Sequence, residues 1–145
     1  MTHPSTALGL HNLALINVMK EDYDESIKIF QKSLDITIMI NGSVHPETAR
    51  AFSNIGSAYL RKSEFKKAFN YFSKALIIDK QVFHEQHPSL GLDYDDLGDV
   101  YFNEGEVQMA QECYEKSRFI FLNNYGMGFY HVKLIDEKLK KINGN

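Results

Sequence analysis

The sequence predicts an all-α solenoid of three helical hairpins in a row, closed by a capping helix. Three observations predict it. The dipeptide His-Pro opens at His3, His45 and His87, each 42 residues after the last. A self-match at a fixed period is the signature of a repeat architecture, in which each unit buries its apolar face on its neighbours. Within each unit, apolar and small residues recur three and four apart, which places them on one face of a helix. After the third unit the pattern gives way to one amphipathic stretch.

The second unit shows the pattern most fully. Phe52, Ile55, Gly56 and Tyr59 share one face of a first helix, and Ala68, Phe72 and Ala75 share one face of a second. Lys62-Ser63-Glu64 is the short polar break between them. Gly56 and Ala68 belong where two helices of a hairpin cross closely, since a large side chain there would overpack the crossing at a cost of roughly 1–3 kcal/mol. The third unit repeats the columns with Tyr94, Leu97, Gly98 and Tyr101, then Ala110, Tyr114 and Ser117. The first has Leu10, Leu13 and Ala14, then Ser26, Phe30 and Ser33, and departs at Asn17, where an aromatic is expected.

Phe52-x2-Ile55-Gly56-x2-Tyr59 followed by Ala68-x3-Phe72-x2-Ala75 resembles the tetratricopeptide pattern, with Phe in place of the opening Trp. The usual period of that repeat is about 34 residues. The longer period here, opened by His-Pro, resembles the extended repeats of kinesin light chains and nephrocystin-type proteins. The resemblance spans nearly the whole chain. It implies a right-handed superhelical solenoid of three tetratricopeptide hairpins plus the capping helix, forming a single domain over 1–145 with repeats at 3–44, 45–86 and 87–128.

Taken in order, residues 4–19 form the first helix, with Pro4 in the first turn, where its missing N–H costs nothing. Lys20-Glu21-Asp22 is the turn, and residues 23–40 form the partner helix, stopped by Asn41-Gly42. Residues 46–61 and 65–83 form the second hairpin. Residues 88–103 and 107–124 form the third, around a Glu104-Gly105-Glu106 turn. Residues 129–142 start a fourth unit and abandon it, because Asp136 and Lys140 stand where an aromatic and a Gly belong. Ile135, Leu139 and Ile142 still mark an apolar stripe among Lys133, Lys138, Lys140 and Lys141, as a cap needs: apolar toward the last hairpin and charged toward water. Asn143-Gly144-Asn145 is expected to fray.

Composition bounds the function. A formal net charge of −3 supplies no general attraction to nucleic acid or anionic membrane. The lone Cys113 cannot form an internal disulfide and fits a reducing compartment. No apolar run approaches the roughly 18 residues of a membrane span. No Lys or Arg precedes Lys20, so a secretory signal is not expected. The expected location is the cytoplasm, with a cytoskeletal or ciliary setting within the family's range. The chain begins almost directly on a repeat, as a piece of a longer protein would.

In the family the first helix of each hairpin lines a concave groove for a partner peptide. Carried over by column, the resemblance implies groove residues Leu8, His11, Asn12, Leu15 and Met19 in the first unit. It implies Arg50, Ser53, Asn54, Ser57 and Arg61 in the second, and Leu92, Asp95, Asp96, Asp99 and Asn103 in the third. Asn12 and Asn54 match an Asn that kinesin light chains use to hold a peptide backbone. An amide suits that role because it offers a donor and an acceptor to any main chain. Asp96 breaks the series, since an ionised carboxylate only accepts. The plainer reading, that both Asn residues satisfy local polar groups, stays open.

Charge is uneven along the chain. Between Lys80 and Lys116 there is no Lys or Arg, and the interval holds nine acids. Residues 61–80 are basic by contrast. Asp95 and Asp99 are one turn apart and should face the same way. They are expected to receive a Lys or Arg of a partner, and Arg50 and Arg61 an acidic residue; solvated helix faces are the alternative. The carboxylate clamp of other tetratricopeptide proteins needs Lys and Arg in columns that here hold His11, Leu92 and Asp96. Binding to acidic C-terminal tails is therefore not expected.

Other chemistries find little support. His3, His45 and His87 fall one per unit at helix starts and cannot converge on one ion. The aspartates of 93–99 lack the Gly-punctuated loop of a calcium site. Cys113 reads as a small buried thiol with no His-plus-orienter beside it. No phosphate-cradling Gly motif and no Gly-x-Ser-x-Gly is present. The aromatics occupy repeat columns and so read as core. The expectation is a non-enzymatic interaction module without metal or cofactor. It holds an extended or helical segment of another protein, of mixed charge, and has no nucleic-acid or membrane partner. The alternative is a structural module that self-associates or stacks in a larger scaffold, discriminated by whether Leu8, Leu15 and Met19 are covered.

Overall fold

The computed structural model describes residues 9–10, 12–13 and 22–144. Among these residues all regular structure is helical: α1 (Tyr23–Asn41), α2 (Pro46–Arg61), α3 (Phe65–Val82), α4 (Pro88–Asn103), α5 (Val107–Tyr125) and α6 (Tyr130–Ile142). The expected helix over 4–19 lies outside the described residues apart from Gly9, Leu10, Asn12 and Leu13, which are helical. The chain divides into two compact units, Met1–Val82 and Phe83–Asn145.

The helix ends follow from local chemistry. His45 and His87 are N-caps: the Nδ1 atom of each accepts from the backbone N–H of Glu47 and Ser89, both at 3.1 Å. Pro46 and Pro88 follow as first helical residues. In the same column α6 has Phe129, which supplies no capping hydrogen bond. The two hairpin turns are built alike. The Glu64 N–H reaches the Tyr59 carbonyl at 3.0 Å and the Glu106 N–H reaches Tyr101 at 2.9 Å, each across a left-handed residue. That residue is Gly105 in one turn (φ +82°) and Ser63 in the other (φ +63°).

In the first unit Ile29, Phe30 and Leu34 of α1 pack on Ile55 of α2, flanked by Leu10, Phe52, Tyr59 and Tyr71. Gly56 lies against the ring of Phe72, 2.8 Å from where a Cβ would stand. In the compact unit Phe83–Asn145, Ala110, Tyr114 and Phe121 of α5 pack on Val132 and Ile135 of α6. Gly98 repeats the close approach against Tyr114 at 2.6 Å. Gly91, which the repeat columns did not single out, lies 2.9 Å from the Phe121 ring by the same measure, and its carbonyl accepts from the buried Ser117 hydroxyl at 2.6 Å.

One contact recurs with the period. Lys74 Nζ sits 5.5 Å from the centre of the Phe52 ring, and Lys116, 42 residues on, sits 5.3 Å from that of Tyr94. Those lysines lie along the aromatics and keep their ammonium heads in water.

Candidate functional site

On α2 the candidate residues Arg50, Asn54, Ser57 and Arg61 are spaced four, three and four apart and so form one stripe. Arg50, Ser57 and Arg61 are exposed and Asn54 is half-buried. Arg50 pairs with Glu47 one turn back on the same helix. Of the first-unit candidates, Asn12 is exposed, while His11, Leu8, Leu15 and Met19 lie outside the described residues.

On α4 the same spacing runs through Leu92, Asp96, Asp99 and Asn103, with Asp95 beside them. Leu92 is 46% exposed, an apolar residue left open on an otherwise polar stripe. Asp95 and Asp99 do face the same way, and a cation of this chain already lies between them. Lys138 of α6 donates to Asp95 Oδ1 at 2.8 Å and lies 3.1 Å from Asp99 Oδ1. Asp99 also accepts from the Tyr114 hydroxyl at 2.6 Å. The two carboxylates were expected to await a partner's Lys or Arg; in the structure such a group would have to displace Lys138. α6 is further tied to α5 by Arg118, whose Nε donates to Asp136 at 2.5 Å.

Electrostatics follow the burial. Burial of the Lys138 ammonium works against its charge, but Asp95 and Asp99 outweigh it and hold its pKa above the ordinary lysine value. Asp95 moves up despite that pair, because its own desolvation is the larger effect. Asp96 moves up as well: burial pushes its carboxyl well above the usual range, and the neighbouring Asp95 and Asp99 add to the rise. The Tyr114 hydroxyl is likewise pushed up by burial and by its bond to Asp99. A cavity of about 160 Å³ adjoins this cluster, lined by Asp99, Phe102, Tyr114, Lys138 and Lys141.

Sequence reasoning missed Lys138 as a member of this site and placed it only on the charged side of a cap. A signal existed: two carboxylates one turn apart, in a stretch without any Lys or Arg, call for a cation from elsewhere in the fold. Cys113 proves half-buried rather than fully enclosed, and burial raises its thiol pKa, which keeps it protonated and unreactive. Among the described residues no three His, Cys, Asp or Glu side chains are arranged to hold a metal ion. A wider cleft of about 490 Å³, lined by residues that include Glu85, Tyr94, Glu112, Lys116 and Phe119, contains none of the candidate peptide-binding residues.

The tetratricopeptide repeat family model matches residues 5–81 and 52–122, and the chain belongs to that family. No curated protein matches it. Among solved structures it is similar to a putative kinesin light chain of Podosopora anserina with nearly identical tetratricopeptide-like repeats. That match has a TM-score of 0.86 at 21% identity, over 99% of this chain and 70% of the other. BtubC of P. vanneervenii matches with a TM-score of 0.74 at 18% identity, over 93% of this chain and 62% of that one. The first tetratricopeptide domain of Spaghetti, solved with the HSP90 peptide SRMEEVD, matches with a TM-score of 0.69 at 20% identity, over 99% and 94%. At these identities the likeness concerns the fold: an all-α helical repeat resembling kinesin light chain repeats.

Proposed function

We propose that this chain is a protein-interaction module that holds a segment of another protein along the first helices of its repeats. One observation carries the reading. α2 and α4 carry mostly polar stripes at matching positions, with Asn54, Ser57 and Arg61 answered 42 residues on by Asp96, Asp99 and Asn103, while the neighbouring columns Ile55, Gly56, Leu97 and Gly98 are buried. A fold needs its buried columns; it does not need Ser57 and Arg61 at the surface. The Spaghetti domain, seen with a bound peptide, is a precedent for such use of the fold. In this reading the chain is one domain with repeats at 3–44, 45–86 and 87–128, closed by 129–142. It acts by binding, without catalysis, in the cytoplasm. Among the described residues no helix is long and apolar enough to cross a membrane.

The charge preference of the partner then rests on α2. Arg61 is exposed, and Arg50 makes an exposed ion pair with Glu47, which contributes little and exchanges easily. An acidic side chain of the partner fits there. The α4 carboxylates are poor subjects for charge reversal, since Asp95→Lys would set two ammonium groups together and dislodge α6. The test is a pull-down with the wild-type chain beside an Asn54→Ala, Arg61→Glu double variant, with circular dichroism confirming equal helicity. A protein retained by wild type and lost from the variant supports the groove; equal retention by both rejects it.

A structural role is the second reading. Tyr125, Met127 and Tyr130, around the α5–α6 junction, are 52, 61 and 67% exposed, as residues that stack on another repeat would be. Leu8, Leu15 and Met19, expected to discriminate the two readings, lie outside the described residues. Size-exclusion chromatography across a concentration series tests it: a concentration-dependent dimer favours stacking.

A further inference from the structure

We propose that the wider cleft on the α4–α5 hairpin is a second binding site and that it takes an arginine-bearing segment of a partner protein. The cleft, of about 490 Å³, lies within the unit Phe83–Asn145 and shares no residue with the candidate peptide-binding stripe. The proposal stands whether or not the groove reading does.

The repeat supplies its own control. The cleft is lined by Glu85, Glu112, Glu115 and Phe119, and 42 residues before them stand Ser43, Asn70, Ser73 and Ile77. The second unit keeps the rest of these columns. Lys74 over the Phe52 ring matches Lys116 over Tyr94, Ile78 is buried as Ile120 is, and Ile77 is as exposed as Phe119, both at 57%. Hairpin packing therefore accepts neutral side chains where the third unit has three carboxylates, and an aliphatic one where it has a ring. All four departures favour a cation: the carboxylates by charge, and the open ring by the attraction of its face for a guanidinium.

These groups are available. Among the described residues Glu85 and Glu112 make no hydrogen bond and no ion pair, and Glu115 accepts only from the Gln111 amide at 3.1 Å. Lys116 lies over Tyr94 and forms an ion pair with none of the three. The lining thus sets three carboxylates against one ammonium. Gln86 adds a further acceptor at the wall, since its Oε1 is buried and accepts no hydrogen bond. Its backbone is fixed: the N–H donates to His84 Nδ1 at 3.2 Å, and the carbonyl accepts from the Asn124 amide at 2.8 Å.

Arginine suits this set better than lysine. Its planar fork offers five donors to carboxylate and amide oxygens, and its flat face stacks on an aromatic ring. Glu112 and Glu115 are three apart on α5 and share a face, so one guanidinium spans them.

The probe is the peptide acetyl-Leu-Arg-Leu-Arg-Leu-amide, added to the isotope-labelled chain and followed by NMR, beside the same peptide with glutamate in place of arginine. The arginine peptide is expected to give saturable shifts centred on Glu85, Gln86, Glu112, Glu115 and Phe119, and the glutamate peptide none. Glu85→Ser with Glu112→Asn and Glu115→Ser installs the residues that the second unit already folds with. That variant should bind the arginine peptide about tenfold more weakly, as the loss of three exposed charge contacts predicts. Shifts centred on α2 or on Asp95 and Asp99 instead, an equal response to the glutamate peptide, or equal affinity of the variant overturns the proposal. Should the variant fail to fold, the comparison of the two peptides on the wild-type chain decides. Size-exclusion chromatography without peptide covers the other occupant. Self-association that salt weakens and the variant abolishes would put the basic residues of 61–80 of another copy in the cleft, and would overturn the choice of a partner protein.

Discussion

Gly56 and Gly98 each leave room for one aromatic ring, with less space for a Cβ than at any other glycine among the described residues. A Cβ at Gly98 would stand 2.6 Å from two carbons of the Tyr114 ring, below any contact that packed atoms tolerate. Tyr114 cannot step aside, because its hydroxyl is tied to Asp99 and its ring is covered by Lys138. Gly98→Ala is therefore expected to cost about 2–3 kcal/mol, measured by urea unfolding monitored by circular dichroism. Gly56→Ala should cost less, since Phe72 has no such tether. Equal losses would mean that the hydroxyl does not hold the ring. Ser63 offers the opposite case. It occupies a left-handed conformation that its counterpart Gly105 adopts without strain. Ser63→Gly is expected to raise stability by about 0.5–1 kcal/mol, and a loss would mean that the serine side chain makes a compensating bond.

At the scale of elements, α6 is the helix with the least sequence support and the most specific attachments. It lacks the His cap of α2 and α4, and in the columns that shape a hairpin it has Asp136 and Lys140. Its apolar residues Val132 and Ile135 are fully buried on α5, and two charged contacts fix its register: Arg118 to Asp136, and Lys138 to the α4 pair. Lys138→Met would leave Asp95 and Asp99 facing each other without a counter-charge. The side chains are 16–30% exposed, so water softens the penalty, and a loss of about 1–3 kcal/mol is expected. Hydrogen exchange should locate that loss in α6 before α5. Uniform exchange across both helices would show that α6 does not open separately. His45→Ala on α2 should cost about 1 kcal/mol through the lost cap, while His45→Asn should largely restore it.

For the molecule as a whole, the proposed groove makes the balance of charge a testable criterion for partners. The structure that matches with an HSP90 peptide bound is solved with SRMEEVD, an acidic sequence. The columns to which the family resemblance would assign such a carboxylate carry His11, Leu92 and Asp96 here, and Lys138 is already committed to two aspartates. Fluorescence polarisation with labelled SRMEEVD is expected to show no binding in the micromolar range. Tight binding would mean that Lys138 and Lys141 swing out to form a clamp that the structure does not display.

The sequence by itself determined the parts of this protein that repeat. The period of 42, the helix starts at His-Pro and the small residues at the crossings are local signals, each enforced by one helix or one turn, and the helices fall within about a residue of where spacing put them. It determined as well which face of α2 and of α4 carries Asn54, Arg61, Asp96 and Asp99, because helical geometry assigns faces without reference to neighbours. Only the tertiary structure decided what those faces meet. Lys138 is 43 residues from Asp95 and 39 from Asp99, so no spacing rule joins them. Their meeting depends on how α6 seats on α5, which side-chain packing sets. That contact fills, from within the chain, the place between Asp95 and Asp99 that a partner's cation was expected to take.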